Sequence, residues 1–391
     1  MRGLAVEVQP LTEKTAIAVA LTNNPELKVL EARIETARRN VGVAKTYSYN
    51  PEFNYDEGLE RHFGISQTIE WPGKRALREA IAKQDTVAAQ SALDGFKVAL
   101  AAEVRAKFYE LLAARKSIEL REREQQLAQR VFDAARRRVE GGFAPNTERT
   151  SAEVGLVRAK RELRAAQNRV AQAQAELNGL LGRDAQTPAE PQGELSTAQP
   201  DISLSKLMDA ALKSHPDLRA ARLELEKRGL SVRLAHKAGA PDITLQPFYE
   251  QDTMSSSKDT KVGIGVSVPL PIWNTSRPKV AVAQAELREA QADIEKRARE
   301  VAANVSKAFT AWEAAREGLA LFSADLQKQM ESDLAAAEQK YANGELSFLS
   351  LLELKRTYFD YTDEYYQSLA ALRDAQSDLE KAASVSLEDL K

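Results

Sequence analysis

Two hydrophobic rhythms alternate along this chain. In the first, apolar and polar residues alternate one by one. Tyr47, Tyr49, Phe53, Tyr55 and Leu59 all fall on odd positions, and Phe63, Ile65, Ile69 and Trp71 continue that parity. Ile243, Leu245 and Tyr249 form a third stripe, and Val262, Ile264, Val266, Val268 and Leu270 a fourth. Period two places such residues on one face of a β-strand, so strands are expected over about 47–59, 62–71, 242–251 and 260–270. Runs of roughly 9–12 residues have the length of tilted strands that cross a bilayer. A tight turn near Glu60-Arg61-His62 is expected to join the first pair, and the longer polar loop QDTMSSSKD the second.

The second rhythm is helical. Leu156, Ala159, Leu163, Ala166, Val170, Ala173, Leu177 and Leu180 follow a 3-4-3-4 spacing. Tyr358, Tyr361, Tyr365, Ser368, Leu372, Ala375, Leu379 and Ala382 follow it again. Sustained a/d seams of this kind predict coiled-coil packing. Ahead of each seam lies a longer helical stretch, about 73–140 and about 278–342. Such a stretch extends on the order of 100 Å if continuous and needs partners along its whole length. Shorter helices open each half, about 12–21 and 203–213, and the Asn-Asn-Pro and Ser-His-Pro turns start the next helices, which run to about Lys45 and Lys237.

The chain is therefore written twice, and an internal repeat is the strongest architectural signal a sequence carries. LTNNPELKVLEARIE resembles LKSHPDLRAARLELE at an offset of 191; beyond the longer second loop, Trp71 matches Trp273 and Gly142 matches Gly344 at 202. Residues 1–195 form the first expected repeat, with a hairpin tip near 141–147, and residues 196–391 the second, with a tip near 343–349. The stretch GRDAQTPAEPQGELSTAQPD, rich in turn formers, connects them.

Four strands are too few to close a membrane barrel, which needs about eight. An open sheet would leave bare edges that must be covered or shared. A homotrimer supplies twelve strands and closes the barrel. Composition fits this mostly α chain with a small β part: Ala, Leu, Glu, Arg and Gln dominate, aromatics are 6%, and net charge is −2, so nothing marks a nucleic-acid binder. No apolar run reaches the ~18 residues of a membrane helix, a test blind to β-barrels. The opening MRGLAVEVQP has no apolar h-region, so no signal peptide is expected in it. A soluble coiled-coil scaffold is the competing class, and it predicts no strands.

The order of helices and strand pairs, the duplication, and the stretches ISQTIEWPGKRALREA and VSVPLPIWNTSRPKVAVAQAEL resemble the TolC family of outer-membrane efflux ducts over essentially the whole chain. The Q-x-x-E-W-P-G-K-R and PLPIWN wording is nearest its heavy-metal (CzcC/CusC-like) branch. The resemblance implies a trimeric channel-tunnel: a 12-stranded β-barrel in the outer membrane of a Gram-negative bacterium and an α-helical barrel in the periplasm. Its tips would meet a periplasmic adaptor (a membrane fusion protein), linked to an inner-membrane pump of RND type. It implies passive conduction, without catalysis or cofactor, of heavy-metal cations, or alternatively of drugs, small organics or secreted polypeptides.

The resemblance also points to residues. Counting six and nine from each tip glycine, its acidic aperture positions fall on Glu148 and Ser151, and on Ser350 and Glu353, so each repeat keeps one acid. Carboxylate rings near an axis attract cations, though Glu is also favoured in any first helical turn. Gly142, Phe143, Gly344, Leu346 and Phe348 form the expected adaptor-docking tips, since apolar residues exposed at a hairpin mark an interface; the alternative is a hydrophobic staple. Trp71 and Trp273 are expected at the membrane interface, with Pro72 beginning the next helix and Lys74 and Arg75 in water.

Other chemistry fails. GIGVSV holds only G-x-G and lies in a strand, so no nucleotide site is expected. There is no cysteine; His62, His215 and His236 lack ligand spacing, and Met1, Met208, Met254 and Met330 are scattered. His215 reads as a helix-start residue, His62 and Met254 as loop residues. A duct must release its cargo, so tight binding is not expected.

Overall fold

The computed structural model describes residues 11–58, 60–193, 202–252, 260–273 and 275–387. Met1, Leu59, Met254 and the expected repeat boundary at 195–196 lie outside them. Among the described residues the chain forms α1 (Glu13–Asn23), α2 (Pro25–Lys45), β1 (Glu52–Glu57), β2 (Glu60–Ile69), α3 (Lys74–Glu140) and α4 (Asn146–Leu180). It then repeats the series as α5 (Leu204–Ser214), α6 (Pro216–Lys237), β3 (Ile243–Asp252), β4 (Thr260–Ser267), α7 (Arg277–Ala320), α8 (Ala324–Ala342) and α9 (Phe348–Ala383).

The chain divides into two compact units. One comprises residues 28–95 and 214–300 and holds the sheet. Its four strands form an antiparallel meander in the order β1-β2-β3-β4. The register places Tyr55, Phe63 and Tyr249 in one cross-strand row, with ring centroids 5.0 and 6.3 Å apart. That face also carries Phe53, Ile65, Ile69, Val262, Ile264 and Val266, all exposed. The opposite face is polar. The first turn comes before the expected Glu60-Arg61-His62, which all lie in β2: Gly58 N–H bonds to the Glu60 carbonyl, and His62 lies within the ladder opposite Glu250. β4 ends at Ser267, before Pro269 and Pro271, which have no N–H to donate.

The other unit comprises the rest of the chain and holds the coiled-coil core. Along α4 the seam positions Leu156, Ala159, Ala166, Ala173 and Leu177 are buried, and Leu163, Val170 and Leu180 half-buried. α9 is buried over a wider face: Tyr358, Leu372 and Leu379 of its seam are joined by Lys355, Phe359, Thr362, Leu369 and Gln376. One cluster gathers Leu127, Val131 and Ala135 of α3, Ala152 of α4, Leu334 and Tyr341 of α8, and Leu351, Tyr358 and Phe359 of α9.

The helix expected over 278–342 is not continuous. It breaks at Leu321–Ser323. The Ser323 hydroxyl caps α8 by accepting from Leu326 N–H. Phe322 packs on the rings of Tyr361 and Tyr365 at 5.2 and 5.7 Å, and Ser323 N–H donates to the Tyr361 hydroxyl at 3.0 Å. The first half has Ala159 and Leu163 at the matching seam positions. Its α3 runs unbroken for 67 residues.

Candidate functional site

Two regions hold the residues singled out by sequence. The first is the pair of helical hairpin tips. Both α3 and α8 end in a Schellman motif, in which a left-handed residue lets two extra N–H groups reach back to helix carbonyls. At the first tip Gly142 has φ +76, with Phe143 N–H bonding to Arg138 C=O at 2.8 Å and Gly142 N–H to Val139 C=O at 3.0 Å. At the second, Gly344 has φ +83, with Glu345 N–H to Lys340 C=O at 2.8 Å and Gly344 N–H to Tyr341 C=O at 3.0 Å. The exit helices differ. α4 starts after Pro145 without a side-chain cap, whereas the Ser347 hydroxyl caps α9 by accepting from Ser350 N–H.

The two tips are tied by three side chains. The Tyr341 hydroxyl, on a residue 1% exposed, donates to Glu148 Oε1 at 2.6 Å. Arg138 lies 3.4 Å from the same oxygen, with its guanidinium over the Tyr341 ring and Nη1 bonding to the Tyr341 carbonyl. Burial, and then the hydrogen bond to Glu148 and its charge, raise the Tyr341 phenol well above its usual range. Glu148 is thus engaged within the chain, while Glu353 and Ser151 are exposed and Ser350 is half-buried beside Ser347. The structure joins Glu148 to Arg138 and Tyr341, two residues sequence reasoning passed over. Tyr341 was visible as an aromatic three residues before a tip glycine.

The expected apolar tip divides in two. Leu346 and Phe348 pack against the core, Phe348 on the Tyr341 ring at 5.8 Å, so they act as the staple. Phe143 stays 81% exposed. Leu349, not among the expected residues, is 73% exposed; it sits one helical position past Phe348 and so points away from the core.

The second region is where strand passes to helix. Trp71 and Trp273 are both exposed. Pro72 does not begin α3: Gly73, at φ +95, intervenes, and the helix starts at Lys74. Nor is Lys74 in water. It is buried, and its Nζ donates to Asp242 Oδ1 at 2.7 Å and to the Ala240 carbonyl at 2.8 Å. Asp242 also accepts from the Trp71 N–H at 2.8 Å. The turn folds Lys74 back onto the start of β3, a placement no local pattern records. Arg75 is exposed and stacks over Tyr47.

The histidines serve local structure. His215 Nδ1 accepts from Asp217 N–H and starts α6, and burial lowers its pKa. His62 is a strand residue at 3.2 Å from Glu250, and His236 is exposed at the end of α6. Met208 is half-buried in α5, and Met330 packs on the core cluster. Among the described residues no group of three His, Asp or Glu is placed to hold a metal ion, and no helix is long and apolar enough to cross a membrane.

The chain is 25% identical over 378 residues to the cobalt-zinc-cadmium resistance protein CzcC of Cupriavidus metallidurans, covering 95% of this chain and 90% of that one. The crystal structure of CusC matches with a TM-score of 0.74 at 16% identity, over 95% of this chain and 91% of that one. The outer-membrane channel OprN matches with a TM-score of 0.77 at 17% identity, over 95% and 89%. The fold is that of a TolC-like channel protomer, mostly helical with a small four-stranded sheet, and the chain is not an enzyme. The outer membrane efflux protein profile matches residues 16–183 and again 207–384, and the chain belongs to that family.

Proposed function

We propose that this chain is the outer-membrane duct of a tripartite efflux system, passing heavy-metal cations from a periplasmic adaptor and an RND-type inner-membrane pump to the cell exterior. The observation that carries the reading is the sheet. Its apolar face is exposed, and among the described residues β1 and β4 carry no ladder partner on their outer edges. Unpaired backbone groups are costly in lipid, so a membrane sheet must close on itself. Three copies close it with twelve strands. Residues 1–195 and 196–391 then act as two structural repeats, Trp71 and Trp273 anchor the interface, and the barrel lies in the outer membrane of a Gram-negative bacterium with the helices in the periplasm.

The tips around Gly142, Phe143 and Gly344 form the adaptor-docking surface, with exposed Leu349 added and Leu346 and Phe348 as its support. Glu148, Ser151, Ser350 and Glu353 line the aperture. Glu148 is held by Tyr341 and Arg138, so it joins Glu353 in a cation-attracting ring once that bond opens. Heavy-metal cargo is favoured by the similarity to a cobalt-zinc-cadmium resistance protein.

A strain deleted for this gene, challenged with cobalt, zinc and cadmium salts and with a panel of organic toxicants, tests the cargo. Sensitivity to the metals alone is the expected result; sensitivity confined to organics would replace the cargo with drugs or small organics. Recovery of the protein as a soluble monomer, rather than a heat-modifiable trimer in the outer-membrane fraction, would overturn the duct.

A further inference from the structure

The polar face of the sheet is where Glu52, Asn54, Asp56, His62, Ser66, Thr68, Gln246, Glu250 and Lys261 stand by alternation with the apolar stripe. Among the described strand residues this face carries two rings, His62 and Phe248, and three glycines, Gly64, Gly263 and Gly265. Glycine inside a strand weakens it, so its presence calls for a close approach by another group.

Gly263 and Gly64 have such a neighbour, whereas the contact at Gly265 is an ordinary one. A Cβ at Gly263 would stand 2.4 Å from Phe248 Cζ and 2.8 Å from Cε1, a separation no side chain tolerates. A Cβ at Gly64 would meet His62 Nε2 at 3.3 Å, and one at Gly265 would meet the Gln246 Cβ at 3.4 Å. Phe248 lies directly between Gly64 and Gly263 in the ladder, and its ring tip reaches over Gly263. His62 stacks beside it at 5.3 Å with a 24° tilt, and is itself bonded to Glu250. Both rings of the polar face therefore lie down along the sheet instead of standing up from it.

A ring over a cross-strand glycine also restores lost packing, which would account for the pair by stability alone. That account is indifferent to which face the pair occupies. Here the ring is the one large apolar side chain among the described strand residues of the polar face, where it has no lipid to meet.

We propose that Gly263 and Gly64 are seats that hold Phe248 and His62 flat, so that the posture of the Phe248 ring sets the clearance of the duct at this level. The inference rests on the reading of the polar face as the lumen of a closed barrel. In a trimer the ring occurs three times around one axis, so raising it narrows the passage from three sides. Gly263→Val removes the seat; Phe248→Ala removes the ring.

The test uses the full-length protein reconstituted in planar bilayers, with neutral polyethylene glycols of graded size added on the strand side alone. Partitioning from that side reports the width of the barrel independently of the helical tips. For Gly263→Val the largest polymer that enters is expected to fall in size, and the double variant Gly263→Val/Phe248→Ala is expected to return it to the wild-type limit. Phe248→Ala alone is expected to leave the limit unchanged, because a ring already lying flat obstructs nothing.

An unchanged limit in Gly263→Val, or a reduced limit that persists in the double variant, would overturn the proposal. So would a larger limit in Phe248→Ala, and that variant decides the matter if Gly263→Val does not insert. Failure of the wild-type protein to insert into the bilayer as a trimer would instead overturn the barrel reading on which the proposal stands.

Discussion

At the end of α4, Asn178 is fully buried, and its Nδ2 donates to the carbonyls of Ala185 and Thr187. At the matching position of α9, 202 residues later, Glu380 is equally buried and accepts from the N–H of Leu387, the counterpart of Ala185. Each half thus pins the segment after its last helix through one buried side chain, as a donor in the first half and an acceptor in the second. The exchange has an electrostatic consequence. An amide needs no counter-charge, whereas the Glu380 carboxylate is met by Arg105 of α3, which also bonds to Glu13 of α1. The halves share a backbone plan and differ in what each buried group demands of its surroundings.

Removing that counter-charge should give the largest difference between the halves. Arg105→Ala leaves a buried carboxylate uncompensated and should lower unfolding stability by about 3–5 kcal/mol. Asn178→Ala should cost about 1–3 kcal/mol. The pH dependence separates them further. Burial raises the Glu380 pKa against the pull of Arg105. A carboxyl whose folded pKa exceeds its unfolded value loses stability as pH rises between the two. Without Arg105 the rise is greater, so the Arg105→Ala deficit should shrink on acidifying toward about pH 4, while the Asn178→Ala deficit should not. Denaturant titrations at several pH values check both; equal pH profiles would break the contrast.

The tips give the next effect. Gly142 and Gly344 have matching left-handed φ, but a Cβ at Gly142 meets open space, whereas one at Gly344 would stand 3.1 Å from Arg138 Nη1. Both valine variants carry backbone strain of about 1–3 kcal/mol. Gly344→Val should lose more than Gly142→Val and should also disturb the Arg138–Glu148–Tyr341 tie. Equal midpoints in urea would show that Arg138 yields without cost.

The helix break offers a smaller difference. Ser323→Ala removes the α8 cap and should cost about 1 kcal/mol, against almost nothing for an exposed substitution at Glu119 in unbroken α3. Smallest is the helix terminus itself. Gly182 and Ser384 occupy equivalent left-handed positions, with φ +64 and +52. Ser384→Gly should relieve strain and stabilise by up to about 1 kcal/mol, read as a raised thermal midpoint.

Legibility in the sequence followed the range of the interaction. The strands were visible because period two is a property of neighbouring residues, and the tips because a left-handed turn demands glycine at one position. Gly182 was readable as a helix stop for the same reason, and Ser384 was not. The break at 321–323 had a local trace, Ser323 followed by Asp325, a helix-start signature overlooked beside the longer apolar rhythm. Lys74 was misplaced because its burial depends on Asp242, a partner 168 residues away.

The sequence by itself determined the duplication, the two rhythms, the hairpin glycines and the family, all of which rest on spacing along one chain. Only the tertiary structure decided how the marked residues are used. It showed that Glu148 is bonded to Tyr341, that Leu346 and Phe348 support the tip while Phe143 remains outside, and that Phe248 lies over Gly263. These facts join residues on different elements, and spacing carries no information about a partner that only folding brings near.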